Sequence, residues 1–267
     1  MTDEAQPCLL ERRNGRVLVL ELNRPERLNA LNGKLHAKLN GALAAAAADA
    51  DVGAVILTGS GRAFSAGGDL SGGREHPEVP VTQESRADTL LQHANSARLL
   101  HQMLKPTIAM INGVAAGSGL ALALACDLRF AAEDAKLTTA YLKVAMSGDL
   151  GVTHFLTQLV VTAKARELLF LNEKIDAREA LQMGLVNRIA HPEQLLETTM
   201  ACASNLANGP SIALRHMKRN LLIAENGSLD AVIESEAYGM ARCGRTHDAK
   251  EAGVAFREKR APIFRGI

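Results

Sequence analysis

Short apolar runs and longer helix-periodic stretches alternate through the first two thirds of the chain. Residues 17–22 alternate around β-branched side chains after an Asn-Gly turn signal, so residues 8–13 and 16–22 are predicted to form a β-hairpin. The Ala-rich stretch over residues 31–50 predicts a helix, because alanine has the highest helix propensity. Three further apolar runs predict buried strands, at residues 52–58, 107–111 and 128–132.

These predicted strands alternate with helical patterns near residues 85–104 and 117–125. Alternation of this kind requires crossover connections, so it predicts an α/β fold with a mostly parallel sheet. Ligand sites in such folds form where the ends of strands meet the N-termini of helices. We therefore expect the functional residues to lie in the loops that follow the predicted strands.

Beyond about residue 190 the pattern becomes entirely helical. Helical spacing recurs in four stretches separated by Gly-containing breaks, at residues 193–207, 210–225, 228–241 and 246–257. A helical segment of this size cannot bury both faces on itself, so we expect it to pack on the core or on a neighbouring subunit. This divides the chain into a core, residues 1–190, and a helical C-terminal region, residues 191–267.

Composition narrows the classes of function. The 267 residues carry 30 basic and 29 acidic side chains, and a net charge of +1 provides no global field to attract nucleic acid or an anionic membrane. No apolar run reaches membrane-spanning length, and the acidic N-terminal residues do not resemble a signal peptide. We therefore expect a cytoplasmic protein that binds neither nucleic acid nor membrane.

The cysteines and histidines give no metal signature. The four cysteines are far apart and form no CxxC pair, which favours free thiols in the core. His101, His154 and His247 lack the spacing of metal ligands, and we expect surface or boundary positions for them. No metal site is predicted.

Two glycine-rich turns, at residues 59–70 and 112–120, each follow a predicted strand and lead toward a helix. Small residues at such turns let backbone N–H groups point at a ligand, and a helix N-terminus favours developing negative charge. Two turns of this kind could share one oxyanion. Glycine after a strand also serves tight turns, so the pattern alone leaves both interpretations open.

Six segments together resemble the crotonase superfamily, which contains the enoyl-CoA hydratase/isomerase family. They are NRPERLNAL (23–31), FSAGGDL (64–70), KPT to ACD (105–127), AKAREL (163–168), ALQMGLVN (180–187) and FREKR (256–260). The resemblance implies an α/β spiral of ββα units with the coenzyme A (CoA) and acyl site in the core. It also implies a helical C-terminal trimerisation region, and a homotrimer or a homohexamer made of two trimers. Coenzyme A would be part of the substrate, with no permanently bound cofactor.

The resemblance also implies roles for individual residues. The backbone N–H groups of Gly68 and Ser118 would bind the thioester oxygen and stabilise an enolate. The segments that would hold CoA contribute Arg27, Leu28, Ala30, Ala66, Gly67, Asp69 and Leu70, with Phe256 and Lys259 added from the tail or from a neighbouring subunit. Arg27 has an alternative interpretation as a solvated surface charge.

The chain departs from the usual hydratase pattern at two positions. The two glutamates that act as acid and base in typical enoyl-CoA hydratases correspond here to Ala121 and Tyr141. Neither side chain can serve as a carboxylate base. Asp149 lies eight positions after Tyr141, where the dienoyl-CoA isomerases and 4-chlorobenzoyl-CoA dehalogenases of the superfamily have a catalytic aspartate. We predict Asp149 as the acid/base residue, the alternative being an N-cap of a helix that begins near Leu150.

The acyl pocket is predicted to be lined by Met110, Leu120, Leu142 and Met146, under a mobile loop formed by residues 71–95. Hydration or double-bond isomerisation of an enoyl-CoA is the expected reaction. C–C cleavage and thioester hydrolysis remain alternatives because they can use the same oxyanion hole. Serine hydrolysis at Ser118 would need a nearby histidine, and a non-catalytic CoA-thioester binding protein would need no acid/base group.

Overall fold

The computed structural model describes residues 6–70 and 82–267. The strands in this part of the chain are β1 (Leu9–Asn14), β2 (Val17–Leu22), β3 (Ala54–Gly59), β4 (Ala63–Ser65), β5 (Thr107–Ile111), β6 (Val114–Ala116), β7 (Leu128–Ala132), β8 (Lys136–Thr138), β9 (Ile175–Asp176) and β10 (Arg188–Ala190). The α-helices of the same part are α1 (Gly33–Ala48), α2 (Gln83–His93), α3 (Asn95–Gln102), α4 (Ser118–Leu124), α5 (Val152–Leu159), α6 (Val161–Leu171), α7 (Ala177–Gln182), α8 (Pro192–Ala207), α9 (Ser211–Ala224), α10 (Leu229–Cys243) and α11 (His247–Glu258).

The strands form two sheets that the chain visits in turn. The six-stranded sheet has the order β1-β2-β3-β5-β7-β10, and all its pairs except the β1–β2 hairpin are parallel. The four-stranded sheet has the order β4-β6-β8-β9. A long strand in the first sheet is followed by a short strand in the second at β3–β4, β5–β6 and β7–β8. Repetition of this unit produces the spiral of ββα units that the resemblance implies.

Most of the predicted elements are confirmed. The hairpin forms around the Asn-Gly turn, and β5 and β7 span the predicted residues. The first helix begins at Gly33 instead of residue 31, because the Asn32 side chain caps it by accepting a hydrogen bond from the Leu35 backbone N–H at 2.9 Å. The core lies where β3, β5 and α4 pack, and every residue of these three elements is buried.

The segment predicted as a loop over residues 71–95 is corrected in part. Residues 71–81 lie outside the described residues, but from Gln83 the chain is helical through α2 and into α3. Thr82 starts α2 by accepting a hydrogen bond from the Ser85 backbone N–H at 3.1 Å. The helical pattern near residues 85–104, which overlaps this segment, is confirmed as helical but is divided into two helices, α2 and α3.

The C-terminal region is helical throughout, as predicted, with α8 to α11 close to the four expected stretches. Helix α8 packs across the six-stranded sheet, whereas α9 and α10 pack mainly on each other. The division of the chain at residue 190 and the role of the tail in trimer formation stay predictions. No helix in residues 6–70 and 82–267 is both long and apolar enough to span a bilayer.

Candidate active site

The two glycine-rich turns lie against each other at the ends of β4 and β6. Gly67 has a φ of +94°, and a Cβ added there would lie 2.9 Å from the Ala116 carbonyl oxygen and 3.5 Å from the Ser118 backbone nitrogen. A side chain at this position would therefore clash with the second turn. Only glycine satisfies both the backbone conformation and the close approach.

The backbone N–H groups of Gly68 and Ser118 are left available by the local structure. Leu31 forms a parallel bridge with Gly68 through the flanking groups: the Leu31 N–H donates to the Gly67 oxygen at 2.7 Å, and the Asp69 N–H donates to the Leu31 oxygen at 2.9 Å. This pattern turns the Gly68 N–H away from Leu31. Ser118 is the first residue of α4, where a helix does not use its own N–H. Within the described part of the chain, neither group donates a hydrogen bond.

The Asp149 carboxylate is held by two hydroxyl groups. The Ser118 Oγ donates to Oδ2 at 2.8 Å, and the Tyr141 hydroxyl donates to Oδ1 at 2.7 Å. Helix α5 begins three residues later with Gly151 at its N-cap and no side-chain cap hydrogen bond. The alternative interpretation of Asp149 as a helix N-cap is therefore wrong. Ser118 was predicted only for its backbone N–H, and its hydroxyl contact with Asp149 was missed.

Tyr141 is a neutral hydrogen-bond donor in this arrangement. Its side chain is buried, and burial raises its pKa far above the ordinary value, with the negative charge of Asp149 adding to the effect. The phenol consequently keeps its proton at neutral pH and donates a hydrogen bond to the carboxylate. Tyr141 cannot replace the missing glutamate as a base, which agrees with the expectation from the sequence.

A cavity of about 740 Å³ extends from Asp149 between α2, α3 and the start of α5. Its apolar wall includes Leu90, Leu91, Ala94, Ala97, Val152 and Phe155. This cavity is not lined by Met110, Leu120, Leu142 or Met146, the residues predicted to line the acyl pocket. The first two are buried in the core and the last two are about half exposed. Helix α2 instead supplies much of the wall, through Ala87, Leu90 and Leu91.

The segments expected to hold CoA are brought together. The chain from Leu28 runs beside the first glycine turn, and the Ala66 N–H donates to the Leu28 carbonyl oxygen at 2.9 Å. Arg27 and Leu70 are exposed at either side, whereas Ala30 and Gly67 are buried. Asp69 forms an ion pair of 2.7 Å with Arg24. Arg24 was not predicted, although it lies in the same NRPERLNAL segment.

Phe256 and Lys259 remain apart from these segments in the single chain. Phe256 is 86% exposed near the end of α11, and Lys259 follows that helix. In residues 6–70 and 82–267, neither side chain forms a hydrogen bond or ion pair with the CoA segments of residues 27–30 and 66–70. A contribution to the site from these residues stays a prediction.

The arrangement that serine hydrolysis requires is not formed. The Ser118 hydroxyl donates to a carboxylate, and no described histidine is hydrogen-bonded to it. His93 interacts electrostatically with Asp149. Burial lowers the pKa of His93, and the negative charge of Asp149 partly offsets this lowering. His93 instead stacks on His36, with 4.1 Å between the ring centroids.

Comparison with known proteins gives one consistent result. A family model described as enoyl-CoA hydratase/isomerase matches residues 12–266. The chain is 34% identical over 250 residues to 1,2-epoxyphenylacetyl-CoA isomerase of Escherichia coli (strain K12), a match that covers 94% of this chain and 95% of that protein. It is also 34% identical over 260 residues to short-chain-enoyl-CoA hydratase of Clostridium acetobutylicum, covering 96% and 97%.

The fold agrees with the sequence comparison. The crystal structure of enoyl-CoA hydratase from Bacillus anthracis matches this one with a TM-score of 0.90 at 30% identity, covering 97% of this chain and 100% of that chain. The match extends through both sheets and the helical tail, since almost the whole of each chain is covered. The chain therefore belongs to the enoyl-CoA hydratase/isomerase family of the crotonase superfamily.

Proposed function

We propose that this protein isomerises or hydrates an enoyl-CoA through a thioester enolate, with Asp149 as the acid/base residue. The observation that carries the proposal is the position of the Asp149 carboxylate. It lies at one wall of a cavity with a largely apolar lining, and it is held by the side chain of the same Ser118 whose backbone N–H starts α4. Ser118 thus contacts the base, Asp149, through its side chain and offers its backbone N–H to the substrate oxyanion.

The oxyanion hole consists of the N–H groups of Gly68 and Ser118. Neither group donates a hydrogen bond to another described residue, and the turns that present them are in contact at Gly67. Backbone donors bind an enolate oxygen more strongly than a neutral carbonyl oxygen, so they lower the barrier to removing the α-proton. Removal of one such donor typically slows an enzyme by about 10²–10³-fold.

A single carboxylate favours isomerisation over hydration. Asp149 would remove a proton from the α-carbon of a 3-enoyl-CoA, which forms a dienolate, and would return that proton to the γ-carbon to give a 2-enoyl-CoA. The carboxylate is regenerated, so no second acid or base is consumed. Hydration must also position a water molecule, a task that two glutamates share in typical hydratases and that Ala121 cannot perform. Tyr141 and Ser118 orient the carboxylate in either reaction.

The CoA part of the substrate would lie along the paired segments of residues 27–30 and 66–70. The Arg24–Asp69 ion pair and the Leu31–Gly68 bridge fix these segments to each other. Arg27 is exposed beside them and offers a cation for a phosphate. No permanently bound cofactor is needed, because the thioester itself provides the electron sink.

A homotrimer or homohexamer completes this proposal. Large apolar side chains are exposed along the tail, namely Met217, Leu221, Leu229, Ile233, Tyr238, Met240 and Phe256. Apolar exposure on this scale is typical of a subunit interface. An assembly could also bring Phe256 and Lys259 of one subunit to the CoA segments of another. Light scattering at micromolar concentration should give a mass three or six times that of the chain, and a monomer would contradict the proposal.

The test of the reaction is proton exchange in deuterated water. The protein is incubated with a panel of 2-enoyl- and 3-enoyl-CoAs, and deuterium at the α- and γ-carbons is measured by mass spectrometry. We expect deuterium uptake with double-bond migration, and an α-deuterated 3-hydroxyacyl-CoA would indicate hydration. Asp149→Asn should abolish uptake, while Asp134→Asn, a change at an exposed aspartate, should not. Release of free CoA would indicate thioester hydrolysis, chain shortening would indicate C–C cleavage, and no exchange with any substrate would indicate a binding protein.

A further inference from the structure

Three side chains with metal-binding atoms converge where α3, α5 and the end of α9 meet. His101 lies in the last turn of α3, His154 in the first turn of α5, and Glu225 directly after α9. The Nε2 atom of His101 lies 2.9 Å from Oε2 of Glu225, and the Nε2 atom of His154 lies 3.8 Å from the same oxygen. One ligand atom from each of the three residues lies within 4.8 Å of the other two.

These distances suit a first-row transition metal. Zinc binds imidazole nitrogen and carboxylate oxygen at about 2.0–2.2 Å in a tetrahedron, which separates neighbouring ligand atoms by about 3.3–3.6 Å. The observed 2.9 Å and 3.8 Å lie on either side of that range. We propose that His101, His154 and Glu225 form a binding site for a divalent transition-metal ion, represented by Zn²⁺. Two imidazole ligands disfavour Mg²⁺ and Ca²⁺, which prefer oxygen.

The two imidazole rings are positioned by a buried aromatic side chain. Phe155 is 8% exposed, and its ring meets those of His101 and His154 edge to face, with centroid distances of 5.2 Å and 5.5 Å. The histidine rings themselves are 6.0 Å apart. Packing of this kind restricts both rings before an ion arrives, which reduces the entropy lost on binding. A bound ion would replace the contact between His101 and Glu225 with one bond to each residue.

The site borders the cavity of Asp149, because both histidines also line it. Three protein ligands leave the fourth position of tetrahedral zinc for water or another small ligand. The three ligands come from elements distant in sequence, so a bound ion would join α3, α5 and α9 and stabilise the folded state. None of the residues assigned to the oxyanion hole or to proton transfer is a ligand, so the proposal is independent of the proposed function.

The experiment uses the full-length protein, treated with EDTA and desalted. Calorimetric titration with ZnSO₄ should show one ion per chain with a dissociation constant of about 1 µM or lower. Saturating Zn²⁺ should raise the melting temperature by about 5 °C, whereas Mg²⁺ should not. Co²⁺ should give the visible bands of a tetrahedral nitrogen and oxygen site. A thiolate-to-metal charge-transfer band would assign the ion to a cysteine and overturn the proposal.

Two variants test the ligands. His154→Ala and Glu225→Gln should each weaken Zn²⁺ binding by at least about tenfold. His154 is 39% exposed and makes no hydrogen bond to Glu225, so the fold should survive its loss, which circular dichroism would verify. The matched control is His191→Ala, a change at an exposed histidine, which should bind as the unmodified protein does. Unchanged affinity in both ligand variants, or no saturable binding at micromolar Zn²⁺, would overturn the proposal.

Discussion

Two aspartates lie beside the glycine-rich turns, and their partners differ in charge. Asp149 accepts hydrogen bonds from two neutral hydroxyl groups, those of Ser118 and Tyr141. Asp69 lies 2.7 Å from the guanidinium of Arg24, and its side chain is only 9% exposed. One carboxylate is oriented without an opposing charge, and the other is paired with a permanent cation.

The difference fits the roles proposed for the two residues, proton exchange for Asp149 and maintenance of structure for Asp69. Protonation of Asp69 would break an ion pair with a side chain that cannot lose its own proton, which is costly in a buried position. Asp149 is held by two neutral hydroxyl groups instead, so the proposed proton transfer at its carboxylate breaks no ion pair with them. Variants of Asp69 can therefore be compared with variants of Asp149, the proposed catalytic group, to separate loss of structure from loss of a base.

The largest expected effect is on turnover at Asp149. Asp149→Asn preserves the shape of the side chain and removes the base, so turnover should fall by about 10²–10⁴-fold with little change in CoA binding. The measurement is steady-state kinetics on the substrate identified by deuterium exchange. Asp69→Asn should lower turnover far less, by a few-fold. If Asp149→Asn retained full turnover, the two aspartates would not differ in the proposed way.

The next effect is on stability at the ion pair. Arg24→Ala removes the guanidinium from a pair whose side chains are 16% and 9% exposed, so the free energy of unfolding should fall by about 3 kcal/mol. Urea denaturation measures this, and the Michaelis constant for the CoA thioester should rise as the segment loosens. Arg27→Ala, at an exposed neighbour, should change stability by no more than about 0.5 kcal/mol. If Arg24→Ala and Arg27→Ala lowered the free energy of unfolding equally, the ion pair would have no structural role.

The stability of the protein should also fall in acid, because of the stacked pair His36 and His93. Burial, with a contribution from His93, lowers the pKa of His36 to about 4, while the unfolded chain binds that proton near pH 6.5. The unfolded state thus holds more protons between these values. The stabilisation is complete above about pH 6.5 and is lost as the pH falls toward 4, up to roughly 3 kcal/mol.

His36→Phe tests this dependence, because it keeps a ring for stacking and removes the titrating group. The Nδ1 atom of His36 is buried with no hydrogen-bond partner among the described residues, so the change sacrifices no such contact. Urea midpoints between about pH 7 and 5 should be flatter in this variant than in the unmodified protein. His191→Asn, at the surface, should retain the original slope. A slope unchanged by His36→Phe would assign the acid sensitivity to other groups.

The smallest expected effects are at the two hydroxyl donors. Tyr141→Phe and Ser118→Ala each remove one hydrogen bond to Asp149 and should reduce turnover by about tenfold, because the other hydroxyl still orients the carboxylate. Ser118→Ala retains the backbone N–H of the oxyanion hole. Rates measured under the same conditions as for Asp149→Asn give the ranking. A loss at Tyr141 as large as that at Asp149 would make the phenol itself a proton carrier.

The sequence predicts the local elements of this protein well. The strands over residues 107–111 and 128–132 are short and mostly apolar, with Arg129 as the charged exception, and their largely buried positions in a parallel sheet follow from that pattern. The four tail helices follow from their periodicity and from the glycine breaks between them. The sequence placed residues 85–95 both in a predicted helix and in a predicted loop, because α2 carries no buried apolar face from which a clear periodic pattern could be recognised.

The sequence alone determined the type of fold, the two glycine turns and Asp149 as the candidate base, since these depend on short segments and their resemblance to a family. Only the tertiary structure decided which side chains meet. Ser118 and Asp149 are 31 residues apart, and His101 and Glu225 are 124 apart. Contacts over such separations depend on how crossovers and helices pack, and periodicity along the chain contains no information about partners across it. The cavity wall and the His101–His154–Glu225 cluster could therefore not be predicted from residue spacing.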